Sequence, residues 1–378
     1  MKATASIIST YSADAFGVCS ALYELGGLTV MHDPSGCNST YTTHDEPRWF
    51  DMPSMVYISA LSEMEAIMGD DQKLIGDIAS AAQALHPRFI AIAGTPIPMM
   101  TGFDFEAAAR LVELETGIPT FGFPTSGMET YISGASMAFT AILRRFAVRE
   151  LPRTAAPSCN ILGLTPLDVS IRGEAESIAD FVRRAGFAVN ARVAMGSDLE
   201  EISRAGAAHV NLVVSASGIA CAKALREMFG TPYVVGLPVA GKYAAQLAAA
   251  LHAAAEGRAP QSAASLPGGE IVIIGEGVHS RSLAEAIELE TGKAARAVCA
   301  TQCDPGALRE KDVFAMDEDE LLPQLQNART VIADPLYKPI VPPQAAFLPL
   351  AHEAFSGRIY RDSILNLAED CTKILNEV

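Results

Sequence analysis

Short runs of β-branched and apolar residues alternate with longer Ala-rich amphipathic segments along the chain, a pattern that specifies βαβ units and parallel sheets. In the first third, Leu28–Met31, Met55–Ile58, Phe89–Ala93 and Thr120–Phe123 predict strands, and Lys73–Leu85, Phe105–Thr116 and Ser133–Phe146 predict helices between them. Pro152 and Pro157 bracket a polar stretch that reads as a boundary. The pattern restarts with strands at Asn160–Leu164, Ala188–Val193, Val210–Val214 and Tyr233–Val235, and helices at Arg172–Ala185, Gly218–Phe229 and Lys242–Ala255. Gly257 to Gly269 has no periodicity and reads as a linker. A third unit follows: strand Glu270–Ile274, helix Ser280–Thr291, strand Ala295–Cys299, helix Asp317–Gln326, strand Thr330–Ala333 and a closing helix over Asp362–Asn376. The expected fold is three Rossmann-like α/β domains, 1–154, 155–256 and 257–378, with parallel sheets around a central cleft.

Hydrophobic residues are 49% and charged residues 19% of the 378, which supplies large buried cores and excludes intrinsic disorder. Lys plus Arg is 28 against 44 Asp plus Glu, a balance of −16 that repels nucleic acid and anionic membrane surfaces. No stretch reaches the ~18–20 apolar residues of a membrane span, and Met1 to Ser12 has no apolar signal core, so the expected location is cytoplasmic. In a reducing compartment the seven cysteines are core thiols or metal ligands, not a disulfide framework.

Two glycine-rich loops imitate phosphate cradles. Gly236 to Tyr243 matches G-x-x-x-x-G-K, but Tyr243 stands where a magnesium-binding hydroxyl is needed and Pro238 removes a backbone N–H, so it reads as a tight strand-to-helix turn. Gly275-Glu-Gly-Val-His279-Ser280 gives G-x-G-x-x-S with no acidic residue ending the next strand. The helix start there, with His279 and Arg281, is a candidate anion site.

Cys19 and Cys37 flank the first strand, and Cys37 sits in a Pro/Gly turn at a sheet edge where ligands bind. Spacing alone leaves core thiol and metal ligand both open. Thr43-His44-Asp45-Glu46-Pro47-Arg48-Trp49 concentrates His, carboxylates, Arg and the only Trp in one loop. It reads either as a solvated loop or as a functional one, with His44 and Asp45 as proton donors or cofactor contacts. Cys299-x-x-x-Cys303 reads as core or pocket lining.

His32-x-Pro34-x-Gly36-Cys37 resembles the His-Gly-Pro-Val-Gly-Cys turn of the nitrogenase component 1 family. That family includes the molybdenum–iron protein, the catalytic subunits of dark-operative protochlorophyllide reductase and the nickel-sirohydrochlorin a,c-diamide reductive cyclase. Leu61-Ser-Glu to Gly69-Asp-Asp-Gln-Lys73-Leu is similar to the family's Phe-Gly-Gly-x-x-Lys-Leu segment. Thr95-Pro96-Ile97 with Gly102 and Asp104 is similar to its Cys-Pro-x-x-x-Ile-Gly-Asp-Asp.

The resemblance implies the catalytic component of an ATP-dependent two-component reductase, with ATP hydrolysed on a separate iron-protein-like ATPase and not on this chain. Cys19 and Cys37 match two of the family's three bridging cysteines, and Thr95 stands at the third. The implied cofactor is a 4Fe–4S cluster shared across a homodimer, or a heterodimer with a paralogue. Ser215 falls where the nitrogenase cofactor cysteine would be, which disfavours an iron–molybdenum cofactor. A tetrapyrrole is the first expected substrate, and a small unsaturated or sulfur-containing molecule the next. The expected pocket is bounded by the His44–Arg48 loop, residues 215–221 and the His279–Arg281 turn. A maturation scaffold of the same family, and a nucleotide or cofactor binder using the Gly275 loop, are the alternatives.

Overall fold

The computed structural model describes residues 5–8, 10–36, 38–259 and 265–378. Three all-parallel sheets succeed one another along the chain. The first contains β1 (Leu28–Met31), β2 (Val56–Ile58), β3 (Ile90–Ala93) and β4 (Thr120–Phe123) in the order β2-β1-β3-β4. The second contains β5 (Ser158–Leu164), β6 (Ala188–Ala194), β7 (Val210–Val213) and β8 (Tyr233–Val235) in the order β6-β5-β7-β8. The third contains β9 (Ile271–Gly275), β10 (Ala295–Cys299), β11 (Val313–Phe314), β12 (Thr330–Ala333) and β13 (Ala346–Pro349), ordered β11-β10-β9-β12-β13.

The central strands β1, β3, β5, β7, β9 and β12 are nearly continuous apolar runs because helices cover both faces. Strand order reverses between β1 and β3, between β5 and β7, and between β9 and β12. Outside the carboxyl ends of those pairs a crevice opens in which α/β proteins place ligands.

Amphipathic periodicity located the long covering helices to within two residues at most ends. The helix Asp14–Leu22 has no such signature: all nine of its residues are buried, so it has no polar face to mark it. It lies against Tyr131–Phe146 with backbones almost in contact. A Cβ on Gly17 would stand 2.1 Å from the Tyr131 carbonyl oxygen, and one on Gly134 would stand 1.8 Å from that of Asp14.

The single closing helix expected over Asp362–Asn376 is not formed. A 3₁₀ segment, Gly357–Ser363, is followed by turns and a short helix, Thr372–Glu377. The backbone of Leu367 is used elsewhere: its N–H donates to Glu174 Oε1 (3.0 Å) and its carbonyl accepts from Ala240 N–H (3.0 Å). Leu367, Cys371 and Ile374 thus join the core of the second unit, while Ile7 packs on that of the third. Cores of adjacent units are continuous, one joining Phe16 and Phe139 to Val193 and Cys221, another joining Ile178 and Leu212 to Ile273 and Ile287.

Candidate functional site

The carboxyl edges of the three sheets converge on one buried polar junction. Tyr131 begins the helix after β4, Asp168 follows β5, Ser215 follows β7, Glu276 and His279 follow β9, Asp334 follows β12, and His352 follows β13. All but His352 are almost wholly buried, and the His352 side chain is 13% exposed.

Gly163, with φ +87°, breaks the β5 register, and a Cβ there would lie 2.7 Å from Ser215 Oγ; this bulge is what admits Ser215. Ser215 Oγ donates to the Gly163 carbonyl (2.8 Å) and pairs with Ser217 Oγ (2.6 Å). It is therefore a satisfied internal hydroxyl, not an opening for an exchanging ligand.

Glu276 caps the helix Gly277–Thr291. Its carboxyl accepts from the N–H groups of Val278 (3.1 Å) and His279 (2.8 Å), and from Ala216 N–H across the unit boundary (2.9 Å). The helix start that the sequence offered as an anion or dinucleotide site is thus already filled by the protein's own acid, which removes the reading of the Gly275 loop as a phosphate cradle.

Asp168 accepts the Tyr131 hydroxyl proton in a short hydrogen bond and stands 3.6 Å from His352 Nε2. Burial, and then the nearby Glu276 carboxyl, hold the Asp168 acid well above the usual carboxylate range, which favours its protonated form. Burial pushes His279 and His352 down, His352 further because His279 adjoins it. Both imidazoles are neutral. The His279 ring bonds the Val214 carbonyl, which assigns the proton to Nδ1, and its Nε2 has no hydrogen-bond partner; neither ring nitrogen of His352 has one. The two rings stand 5.9 Å apart, edge to face. They border a cavity of about 30 Å³ whose other walls include Glu174, Asp334, Leu350 and Phe355.

Several expected site residues lie elsewhere. Arg281 points away from this cavity, bonded to Glu285 (2.8 Å) and the Ala307 carbonyl (2.7 Å), in a groove beside Tyr233 and Tyr243. His44 and Asp45 do not reach the junction either. His44 Nδ1 meets Thr43 Oγ1, and Asp45 is held by Tyr11 (2.8 Å), Arg358 (3.5 Å) and, through its carbonyl, Arg361 (2.9 Å).

Arg48 turns inward beneath the same loop. It binds Glu46 (2.6 Å), Glu24 (2.9 Å) and the Ser20 carbonyl (2.7 Å), with its guanidinium over the Tyr23 ring. The three segments expected to bound one pocket do not do so. A tetrapyrrole, which needs a pocket of the ~300–1,000 Å³ class, does not fit the junction cavity, and an acidic lining opposes its carboxylates.

Of the two expected cluster cysteines, Cys37 lies outside the described residues. Cys19 is 1% exposed, inside a helix buried on every side, and burial pushes its thiol up to about 12. In the chain by itself Cys19 is thus packed as a core thiol. Thr95 Oγ1 lies 2.9 Å from the His32 carbonyl and 2.5 Å from Asp33 Oδ1, closing the turn in place of a metal ligand. Among the described residues, no three His, Cys, Asp or Glu side chains are arranged to hold a metal.

The phosphate-loop imitation at Gly236–Tyr243 has its lysine committed to the Leu289 carbonyl (3.0 Å) and Glu290 (3.4 Å). A larger cavity, about 620 Å³ near Arg153, Arg226 and Arg258, adjoins the amino end of β8, away from the ligand-binding edges; Arg153 is spent on the carbonyls of Ala208 and Phe229. Sequence reasoning did not single out Tyr131, Asp168, Glu276 or His352. Three of them share a usable signal: a polar residue within a few positions of a strand's carboxyl end, which Asp168, Glu276 and His352 satisfy.

At the carboxyl edge of the first sheet, the short helices Glu63–Met68 and Pro96–Thr101 expose Met64, Ile67, Met68 and Met100, the last 86% accessible. Contiguous apolar surface of this kind marks an interaction face. No helix among the described residues is long and apolar enough to cross a membrane.

Comparison with known proteins agrees with the fold. A solved structure titled "Nitrogenase Cp1 at pH 6.5" superposes with a TM-score of 0.69 over 100% of this chain and 94% of that one, at 15% identity, a likeness of fold. The nitrogenase iron-molybdenum cofactor biosynthesis protein NifE of Clostridium pasteurianum is 26% identical over 240 residues, 61% of this chain and 51% of that protein. A light-independent protochlorophyllide reductase subunit of Chlorobium phaeobacteroides (strain BS1) is 27% identical over 216 residues, 56% of this chain and 40% of that protein. The chain thus spans about half the length of these relatives or less. The family model for nitrogenase component 1 type oxidoreductases matches residues 16–302, and the chain belongs to that family.

Proposed function

We propose that this chain is the substrate-handling subunit of a nitrogenase-like reductase that receives electrons from an iron-protein-like ATPase and acts on a small, unsaturated molecule of a few heavy atoms. One observation carries the reading: the carboxyl edges of the second and third sheets close on a single cavity where two neutral imidazoles meet an acid that burial holds above the usual carboxylate range. Such groups serve proton-coupled reduction and have no structural need to be left unpartnered. The cavity's volume supports a small substrate over a tetrapyrrole. The apolar Met64–Met100 face supports docking of a second subunit, either a copy of this chain or a paralogue. We assign a cluster shared with that subunit to Cys37 first among the two matched cysteines, since Cys19 is packed as a core thiol in the single chain.

A maturation scaffold is the second reading, favoured by one observation: Thr95 and the buried Cys19 leave the first sheet edge short of thiolates. Anaerobic co-expression with a paralogous subunit and an iron-protein-like ATPase, followed by ATP-dependent turnover of small unsaturated substrates, tests the assignment. ATP-dependent reduction supports the reductase. A complex that carries iron and transfers it to an acceptor protein without reducing any substrate supports the scaffold. Replacing Met100 and Ile67 by Asp should abolish assembly while leaving the isolated chain folded.

A further inference from the structure

We propose that Asp168 and His352 form a proton-donating pair that faces a proton-accepting His279 across the junction cavity, so that a ligand held there is protonated by the fold and not by bulk solvent. The proposal rests on the reductase reading and adds to it the source of the protons.

The geometry is directional. Tyr131 O–H donates to Asp168 Oδ1, and Thr165 Oγ1 stands 3.5 Å from Oδ2, so hydroxyl donors already surround the carboxyl and can support it once its own proton has left. The acceptor for that proton, His352 Nε2, is 3.6 Å away, one small ring rotation outside hydrogen-bond reach, and has no competing partner. His352 is fixed at its backbone, where its N–H donates to Asp334 Oδ2 (2.9 Å), while its ring packs edge to face on Phe355 (4.9 Å) with no hydrogen bond of its own. Transfer from Asp168 to His352 converts a neutral acid and a neutral base into a carboxylate–imidazolium pair, with no change in net charge inside the buried junction. The imidazolium then gives up its Nδ1 proton to a ligand in the cavity and returns to neutral, leaving Asp168 as a carboxylate beside the Tyr131 and Thr165 hydroxyls and opposite the protonated ligand.

On the opposite wall the Val214 carbonyl fixes the His279 tautomer, leaving Nε2 as a bare lone pair. That nitrogen orients a ligand by accepting its N–H or O–H. Each remaining acid facing the cluster is already occupied by backbone donors: Glu276 by Ala216, Val278 and His279, Glu174 by Ser170 and Leu367, and Asp334 by Leu336 and His352, with the Ser356 hydroxyl beside them. Asp168 alone among them is met by side chains only, the Tyr131 and Thr165 hydroxyls and the His352 imidazole, which leaves its proton movable. A cavity of about 30 Å³ admits one or two waters or a molecule of similar size.

The test uses the full chain. Infrared difference spectroscopy of wild type minus Asp168→Asn at pH 7 should show a protonated-carboxyl C=O band that shifts in D₂O, and nitrogen-15 NMR should show His279 and His352 neutral, with His279 protonated at Nδ1. In the assembled complex, Asp168→Asn and His352→Gln should each lower turnover by about 10²-fold or more and displace the pH profile, with substrate KM little changed. His352→Gln serves as the second probe should Asp168→Asn fail to fold. An ionised Asp168 at pH 7, or both variants turning over at the wild-type rate from pH 6 to 8, overturns the proposal. Absence of turnover by wild type refutes the reductase reading separately, since the infrared and NMR results still decide whether the proton sits on Asp168.

Discussion

Replacing Arg48 by Met distinguishes a structural from a functional role for the loop that carries the only tryptophan. The side chain is buried and forms charge-assisted bonds to Glu46 and Glu24, whose own side chains are 2% and 8% exposed. Burial alone would lower the Arg48 pKa; the two acids raise it above its ordinary value, so the guanidinium stays charged throughout. Methionine keeps most of the volume and removes the charge, leaving two acids buried with no counter-ion. Breaking a buried pair from one side costs about 3–5 kcal/mol. The Ser20 carbonyl, which Arg48 caps at 2.7 Å, adds about 1 kcal/mol when left unpaired.

The expected loss is therefore roughly 4–6 kcal/mol, a large part of the ~5–15 kcal/mol that holds an ordinary domain folded. Urea unfolding followed by Trp49 fluorescence reads the loop directly, and far-ultraviolet circular dichroism reads the whole chain. Arg48→Met should bring the fluorescence transition to lower urea, ahead of the dichroism. Glu46→Gln in the same background should recover about 2 kcal/mol by removing one unpaired charge. If Arg48→Met unfolds at the wild-type midpoint by both probes yet abolishes substrate reduction, the loop is functional and the structural account is wrong.

Cys19→Ala should leave the iron content of anaerobically purified protein unchanged, whereas Cys37→Ser should lower it; equal losses in both variants, measured by iron and sulfide analysis, would return Cys19 to the ligand set. Gly134→Ala should destabilise by about 3 kcal/mol or more, because the new methyl meets the Asp14 backbone at 1.8 Å. Gly76→Ala, with nothing within 4 Å, should stabilise by about 0.5–1 kcal/mol through helix propensity, and matching signs in a denaturation series would contradict the helix contact. His32 is buried and its pKa is lowered to about 4, so the unfolded chain takes up its proton first. Its contribution to stability is complete above pH ~6.5 and falls by about 3 kcal/mol as pH drops from there to about 4. His32→Gln should flatten the acid limb of stability against pH, measured by urea titration; an unchanged slope would show that His32 is not the proton acceptor.

Hydrophobic periodicity by itself determined the three α/β units, most of the strands to within a residue or two, and most of the long helices. It did so because a parallel strand buried on both faces must be a short apolar run and a covering helix must have one apolar stripe, and both are local properties. The motifs around His32 and Cys37 also placed the chain in its family. The sequence could not reveal the helix Asp14–Leu22, since an element surrounded by protein on all sides has no polar face. It could not show that Cys19 sits within that helix's core contacts, that Arg281 and Arg48 are consumed by neighbouring acids, or that Glu276 fills its own helix terminus. Each of those outcomes depends on which distant groups come within about 3 Å. The junction shows the same limit: Tyr131, Asp168, His279 and His352 span more than half the chain and become one site only where three carboxyl edges meet. Burial at that meeting point then sets their protonation, a property none of them has in the unfolded chain.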